Sequence, residues 1–148
     1  MQKESGFTLV ELMIVISVAS ALMLVATFSY LSLRPSLRLN GVTRQMLGDL
    51  MTARMKSVNQ NNEFKVFFLN TTEYKILDDD DNDGTDDMGE WSETKDIQDN
   101  YPGVTLSATS DPIFSPRGTA NAGTTITLTN TNGTKTVSVS MTGRVKIN

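Results

Sequence analysis

"FTLVELMIVISVASALMLVATFSY", Phe7 to Tyr30, carries a single formal charge, the carboxylate of Glu11. As a helix its 24 residues would extend roughly 36 Å, enough to cross the hydrocarbon core of a bilayer. The polar leader "MQKESG" precedes it, and the small residue Gly6 stands before the apolar run, not after it. A secretory signal peptide has the opposite order, with its cleavage site behind the apolar run. The helix is therefore expected to stay in the mature chain. A carboxylate inside such a helix costs about 3 kcal/mol and is seldom left without company. Glu11 either lies close enough to the interface to reach water or finds a partner outside its own chain, because no base lies within helical reach. The nearest outside partner is the amine that a cut after Gly6 would create on Phe7 of a neighbouring subunit.

The rest of the composition narrows the chemistry. The chain has 148 residues, enough for one domain and an appendage, and it contains neither Cys nor His. Disulfides, thiolate metal sites and cysteine nucleophiles are excluded, and so are the commonest general base and zinc ligand. No G-x-S-x-G occurs either. The composition points away from an enzyme and towards a binding or structural role. The net charge of −4 conceals an asymmetry: eleven acids and one base lie between Asp78 and Asp99, a local charge of −10. After Gly6, the remainder holds five acids and eleven bases, or +6.

Beyond the apolar run, Val42, Met46 and Leu50, with Met51, Met55 and Val58, recur at helical spacing. This predicts that the helix continues and packs an apolar stripe on a following domain. Gly41 and Gly48 are expected to permit local unwinding. Any kink belongs at Pro35, just outside the membrane, and "NQNN" (Asn59 to Asn62) ends the helix. From Glu63 the period changes to two. "EFKVFFL" and "EYKIL" read as strands joined by "NTT", followed after the acidic stretch by "GVTLSA" and "IFS". "TTITLTN", "KTVSVSM" and "GRVKI" then alternate, with Ile126, Leu128, Val137, Val139, Val145 and Ile147 as the buried face. The expected class is α+β, a long N-terminal helix packed on a small antiparallel β-sheet or sandwich domain.

Within the acidic stretch, "DDDDNDGTDDMGE" fits the twelve-position oxygen cage D-x-D-x-D-G-x-x-x-x-x-E. Asp79, Asp81 and Asp83 would supply alternate carboxylates, and Gly84 the sharp turn. The Thr85 carbonyl, Asp87 through water and a bidentate Glu90 would complete the shell of a Ca2+ ion. The seven carboxylates from Asp79 to Glu90 repel one another unless a cation intervenes. Three features depart from an EF-hand: a strand-like "EYKIL" in front, Asp86 where an apolar residue is usual, and no second loop. The reading is an EF-hand-like calcium loop with a structural role, against the alternative of a solvated acidic excursion.

Two stretches carry a family resemblance. "GFTLVELMIV" closely resembles the processing site of type IV pilins and type II secretion pseudopilins. "IFSPRGTANAGTTITLTN…KTVSVSMTGRVKIN" resembles, more loosely, the end of the GspH/FimT branch, with Phe114, Pro116 and Gly118 in one motif and Thr142, Gly143, Arg144 and Val145 in the other. The resemblance implies cleavage after Gly6 by a prepilin peptidase, methylation of Phe7, and pairing of Glu11 with the N-terminal amine of an adjacent subunit. It implies a leader over 1–6, a transmembrane and filament-core helix over 7–33, and an extramembrane amphipathic helix over 34–60. The antiparallel β domain would span 61–148, with an acidic loop over 78–99.

The implied function is a structural subunit, a minor pseudopilin or minor pilin of a type II secretion pseudopilus or type IV pilus. Its partners would be prepilin peptidase, other pilins and the bacterial inner membrane. It would cross that membrane once with the β domain in the periplasm, and join a periplasmic or extracellular filament on assembly. Two alternatives stay open. One is the major subunit of such a filament. The other is a nucleic-acid-binding minor pilin, because Gly143, Arg144 and Lys146 resemble the basic G-R-x-R of FimT-like proteins, with Lys in place of the second Arg. Against nucleic acid stands the −10 stretch, and two bases give only weak, salt-sensitive binding.

Overall fold

The computed structural model describes residues 6–81, 87 and 89–148. One helix, α1 (Leu9–Gln60), is followed by eight strands. These are β1 (Glu63–Phe68), β2 (Glu73–Asp79), β3 (Ser92–Asp96), β4 (Thr105–Ala108), β5 (Ile113–Phe114), β6 (Thr124–Asn130), β7 (Gly133–Val139) and β8 (Val145–Ile147). The chain divides into two compact units, Met1–Arg34 and Pro35–Asn148.

In the first unit the helix is apolar on all sides and its large hydrophobic side chains are exposed. Hydroxyls would be costly in lipid, but here they are satisfied inside the helix itself. Ser17 Oγ donates to the Ile14 carbonyl at 2.8 Å, Ser20 to Ile16 at 2.8 Å, Thr27 to Met23 at 2.8 Å and Ser32 to Ser29 at 2.9 Å.

The second unit is built on the C-terminal half of α1. Leu39, Val42, Met46, Leu50 and Ala53 are buried, with Thr43 and Ser57 on the same face. Fully burying one such aliphatic side chain contributes about 1.5–3 kcal/mol. The expected stripe is therefore right for Val42, Met46 and Leu50 and wrong for Met51, Met55 and Val58. Those three are exposed, Met55 at 63 %, and with Arg54 and Asn59 they line an open depression of about 320 Å³. At 100° per residue they stand nearly opposite the core-facing row. Periodicity found both apolar rows of the helix but could not say which one is covered.

Neither glycine unwinds α1, which stays helical through Gly41, Gly48 and Pro35. At Gly41 the reason is packing: a Cβ there would collide with the Tyr101 ring. Asn61 stops the helix with φ 57°, in the left-handed region.

Sheet 1 has the antiparallel order β3-β2-β1-β5, and sheet 2 the order β4-β6-β7-β8. Alternation explains the burial. Phe64 and Val66 of β1 and Tyr74 and Ile76 of β2 enter the core from sheet 1. Leu106, Ile126, Leu128, Val137, Val139 and Val145 enter from sheet 2. Ile147, expected inside, is 39 % exposed because β8 ends the sheet as a three-residue edge strand. The acidic stretch 78–99 is not loop throughout. Its start belongs to β2 and its later part forms β3, paired in register Glu73↔Asp96 to Leu77↔Ser92. The α+β class, with one long helix and two antiparallel sheets, is as the patterning indicated.

Candidate functional site

At the N-terminal end, Thr8 immediately precedes α1 and Glu11 occupies the third helical position. Thr8 Oγ1 accepts the Glu11 N–H at 3.2 Å, and the Glu11 carboxylate accepts the Thr8 N–H at 3.5 Å. This reciprocal pair is a capping box, and it places a negative charge where the helix dipole favours one. The T-x-x-E signal for it is present in the sequence as Thr8 and Glu11. Glu11 is thus held by its own helix start, and both it and Phe7 are exposed.

The acidic loop opens where β2 ends. Asp79 is 1 % exposed, Asp81 is exposed, and Glu90 lies between them in burial. One carboxylate oxygen from each of Asp79, Asp81 and Glu90 falls within 4.8 Å of the others. Asp83 and Thr85 of the expected ligand set, with Gly84, lie outside the described residues. Asp87 is exposed, and its N–H donates to Glu90 Oε2 at 3.1 Å, while the Asp80 N–H donates to Glu90 Oε1 at 2.9 Å. Glu90 thereby ties both ends of the loop. Three hard carboxylate donors on a closed loop fit a cation such as Ca2+ in type.

Around this loop α1 and the turn that follows it contribute residues that periodicity did not single out. Lys56 Nζ stands 3.5 Å from the centre of the Trp91 ring, and Asn62 Nδ2 bridges Asp78 at 2.8 Å and Asp80 at 2.7 Å. Burial pushes the Asp78 carboxyl up, against the opposing pull of its Asn62 hydrogen bond. Further along the helix, Asp49 receives the Tyr74 hydroxyl and pairs with Lys95 at 2.8 Å. Gln45 Nε2 donates to the same Tyr74 oxygen at 3.2 Å. Burial raises the Tyr74 phenol well above its ordinary range, reinforced by Asp49. For Lys95 burial works downward, but Asp49 and Glu93 outweigh it and hold the ammonium above its usual value. This cluster fastens the helix to β2 and β3 and explains why "SETKD", poor in strand formers, is a strand.

The two C-terminal motifs meet at one arginine. Arg54 Nε donates to the Gly118 carbonyl at 2.8 Å. Gly118 and Gly143 both have positive φ, 74° and 75°. A Cβ on Gly143 would strike the Gly118 carbonyl and crowd Arg54. Close backbone approach therefore requires glycine at 143, and positive φ favours it at 118. The following residues, Arg144 and Lys146, are exposed and line one cavity of about 400 Å³ with Ser138, Ser140 and Thr142.

Residues 42–143 match the family model described as Type II transport protein GspH, and residues 1–27 match that of the prokaryotic N-terminal methylation motif. Among solved structures, the type IV minor pilin FimU of Pseudomonas aeruginosa (strain PAO1) superposes with a TM-score of 0.60 at 17 % identity, over 74 % of this chain and 87 % of that one. The minor pseudopilin EpsH from the type 2 secretion system of Vibrio cholerae gives a TM-score of 0.59 at 10 % identity, over 75 % of this chain and 96 % of that one. At such identities the two structures speak for a shared fold. No curated protein matches the chain significantly.

Proposed function

The chain belongs to the type II transport protein GspH family, and from that premise we propose how its parts serve as a minor pseudopilin or minor pilin. A prepilin peptidase removes residues 1–6 and Phe7 is methylated. The apolar half of α1 then anchors the subunit in the inner membrane with its β domain in the periplasm, and later packs against other subunits in the filament. Glu11 meets the methylated amine of a neighbour. The observation that carries the reading is the pairing of the methylation motif over 1–27 with an apolar helix exposed on every side. Such a surface needs either lipid or other helices around it.

Mass spectrometry of the chain co-expressed with a prepilin peptidase tests it. The expected product lacks the first six residues and carries one methyl on Phe7, and Gly6→Leu leaves the precursor intact. An uncut wild-type chain would overturn the reading. Glu11→Ala should be processed normally and fail to enter filaments.

A second reading concerns the acidic loop, which we propose holds a structural Ca2+. Its support is the convergence of Asp79, Asp81 and Glu90 within 4.8 Å. The bound ion would neutralise their repulsion and fix the loop against β2. Trp91 is the only tryptophan and adjoins Glu90, so its emission should titrate saturably with calcium at about 1 mM or below, the range of extracellular modules. Melting should rise in calcium relative to chelator, and Asp79→Asn should abolish both responses. Identical melting in calcium and chelator would reduce the loop to a solvated excursion.

A further inference from the structure

The second half of α1 carries two apolar rows, and only one of them is sealed by the sheets. Met51, Met55 and Val58 of the other row are exposed, and with Arg54 and Asn59 they line the depression of about 320 Å³. The turn over residues 115–119 closes in on this row. Ser57 Oγ donates to the Ser115 carbonyl at 3.1 Å and Arg54 Nε to the Gly118 carbonyl at 2.8 Å, while a Cβ on Gly118 would stand 3.2 Å from Val58 Cγ2. The turn over residues 140–144 adjoins it, since Gly143 meets Gly118 and the Ala120 N–H donates to the Met141 carbonyl at 3.0 Å. Charge is one-sided in these three segments. Residues 51–60, 115–119 and 140–144 hold Arg54, Lys56, Arg117 and Arg144 and no acid. Arg117 and Arg144 are exposed, and among the described residues neither side chain has an ion pair or a hydrogen bond. An apolar row with free cations beside it calls for a partner whose own apolar ridge is flanked by carboxylates.

We infer that this depression docks the extramembrane helix of a different pilin-type subunit, one that presents an aliphatic ridge flanked by Asp or Glu. The inference rests on the reading of the chain as a minor filament subunit, whose neighbours are other chains. Shape selects a helix. Side chains at i, i+4 and i+7 make a grooved surface that the ridge of a second helix matches, whereas a lipid surface is flat. Charge selects an acidic helix. A second copy of this chain fits poorly, because after Glu11 the one acid of its α1 is Asp49, and that carboxylate is taken by Tyr74 and Lys95. A nucleic acid would use the cations and leave the apolar row in water. Methionine gives the row an unbranched, polarisable surface that adapts to the ridge it meets. The apolar contact supplies most of the affinity, and the arginines supply orientation and partner choice.

The test is made on the full chain in the bacterium that produces it. A photo-crosslinking p-benzoylphenylalanine replaces Asn59, and the adducts are identified by mass spectrometry. The expected adduct joins the chain to a different protein with a methylated N-terminal residue, through a helical peptide that carries Asp or Glu beside aliphatic residues. Met51→Asp with Met55→Asp should cut the yield of this adduct about tenfold, whereas Met51→Leu with Met55→Leu should preserve it. Arg117→Glu should cut it about threefold, and Arg117→Lys should leave it unchanged. Every substituted side chain is exposed, so each variant should melt in detergent at the wild-type temperature, which separates lost docking from lost folding. An adduct to a second copy, to lipid alone or to a basic peptide overturns the proposal. So does a yield indifferent to both the aspartates and the Arg117 reversal, or no adduct at all from a chain that is cut after Gly6 and methylated on Phe7. An uncut Gly6 counts instead against the filament reading itself.

Discussion

In the half of α1 before Pro35, nearly every side chain is exposed, and Ser17, Ser20, Thr27 and Ser32 turn back onto their own helix. In the half from Pro35 to Gln60, one row is sealed against two sheets and the polar residues reach across to them: Arg38 to the Pro102 carbonyl, Asp49 to Lys95, Arg54 to the Gly118 carbonyl. The first half is uniform, so no position in it is privileged by packing within the chain. The second half is differentiated residue by residue, because each position faces a particular neighbour. A substitution in the second half should therefore register in the stability of the folded unit, and the same substitution in the first half should not.

The contrast is sharpest for an apolar truncation. Leu50→Ala empties a fully buried site and should cost about 2–5 kcal/mol, visible as a lower melting temperature of the full chain in detergent. Leu24→Ala, on the exposed half, should leave that melt unchanged; an equal drop would break the comparison. Next in size, Gly143→Ala places a methyl against the Gly118 carbonyl at a positive φ. It should cost about 2–3 kcal/mol and loosen the Arg54 contact, read as faster amide exchange at Gly118. Two glycines of α1 test the comparison within its second half. Gly41→Ala meets the Tyr101 ring and should destabilise by about 1–3 kcal/mol. Gly48→Ala meets nothing and should stabilise by up to about 1 kcal/mol through helix propensity.

The smallest effect is a pH dependence. Lys95 and Tyr74 are both held above their usual values in the folded state. Each therefore favours folding below its unfolded pKa, near 10 for both, and that contribution is lost as pH rises towards the folded values. Melting should fall in the alkaline range, and Asp49→Ala should flatten this slope, measured by thermal scans from neutral pH upward.

Much of this architecture was legible in the chain. A charge-poor run of 24 residues admits few alternatives to a membrane-length helix, and strict alternation from Thr124 onward identified β6, β7 and β8 and, Ile147 apart, their inward side chains. What escaped detection depended on tertiary partners. Strand β3 is too charged to advertise itself; it exists because β2 supplies a ladder and Asp49 a counter-ion for Lys95. Met51, Met55 and Val58 have the spacing of a core row, and only the position of the sheets decides against them. The roles of Gly118 and Gly143 became physical once their backbones were seen to meet at Arg54. At the acidic loop, spacing picked out Asp79, Asp81, Asp83, Thr85, Asp87 and Glu90; carboxylate oxygens of Asp79, Asp81 and Glu90 lie within 4.8 Å of one another, while Asp83 and Thr85 lie outside the described residues.

The hydroxyls of the anchor have a thermodynamic consequence. Because Ser17, Ser20, Thr27 and Ser32 already donate to carbonyls of their own helix, the segment carries the same hydrogen bonds into any apolar surroundings. Exchanging acyl chains for neighbouring helices then leaves the polar inventory of these residues untouched, and the balance falls to close packing and lipid entropy. The segment acts as a phase-transfer element, equally soluble in lipid and in a bundle of its own kind. Glu11 carries the one formal charge of residues 7–33, so on the filament reading proposed above the transfer would turn on whether that carboxylate finds a cation at the destination.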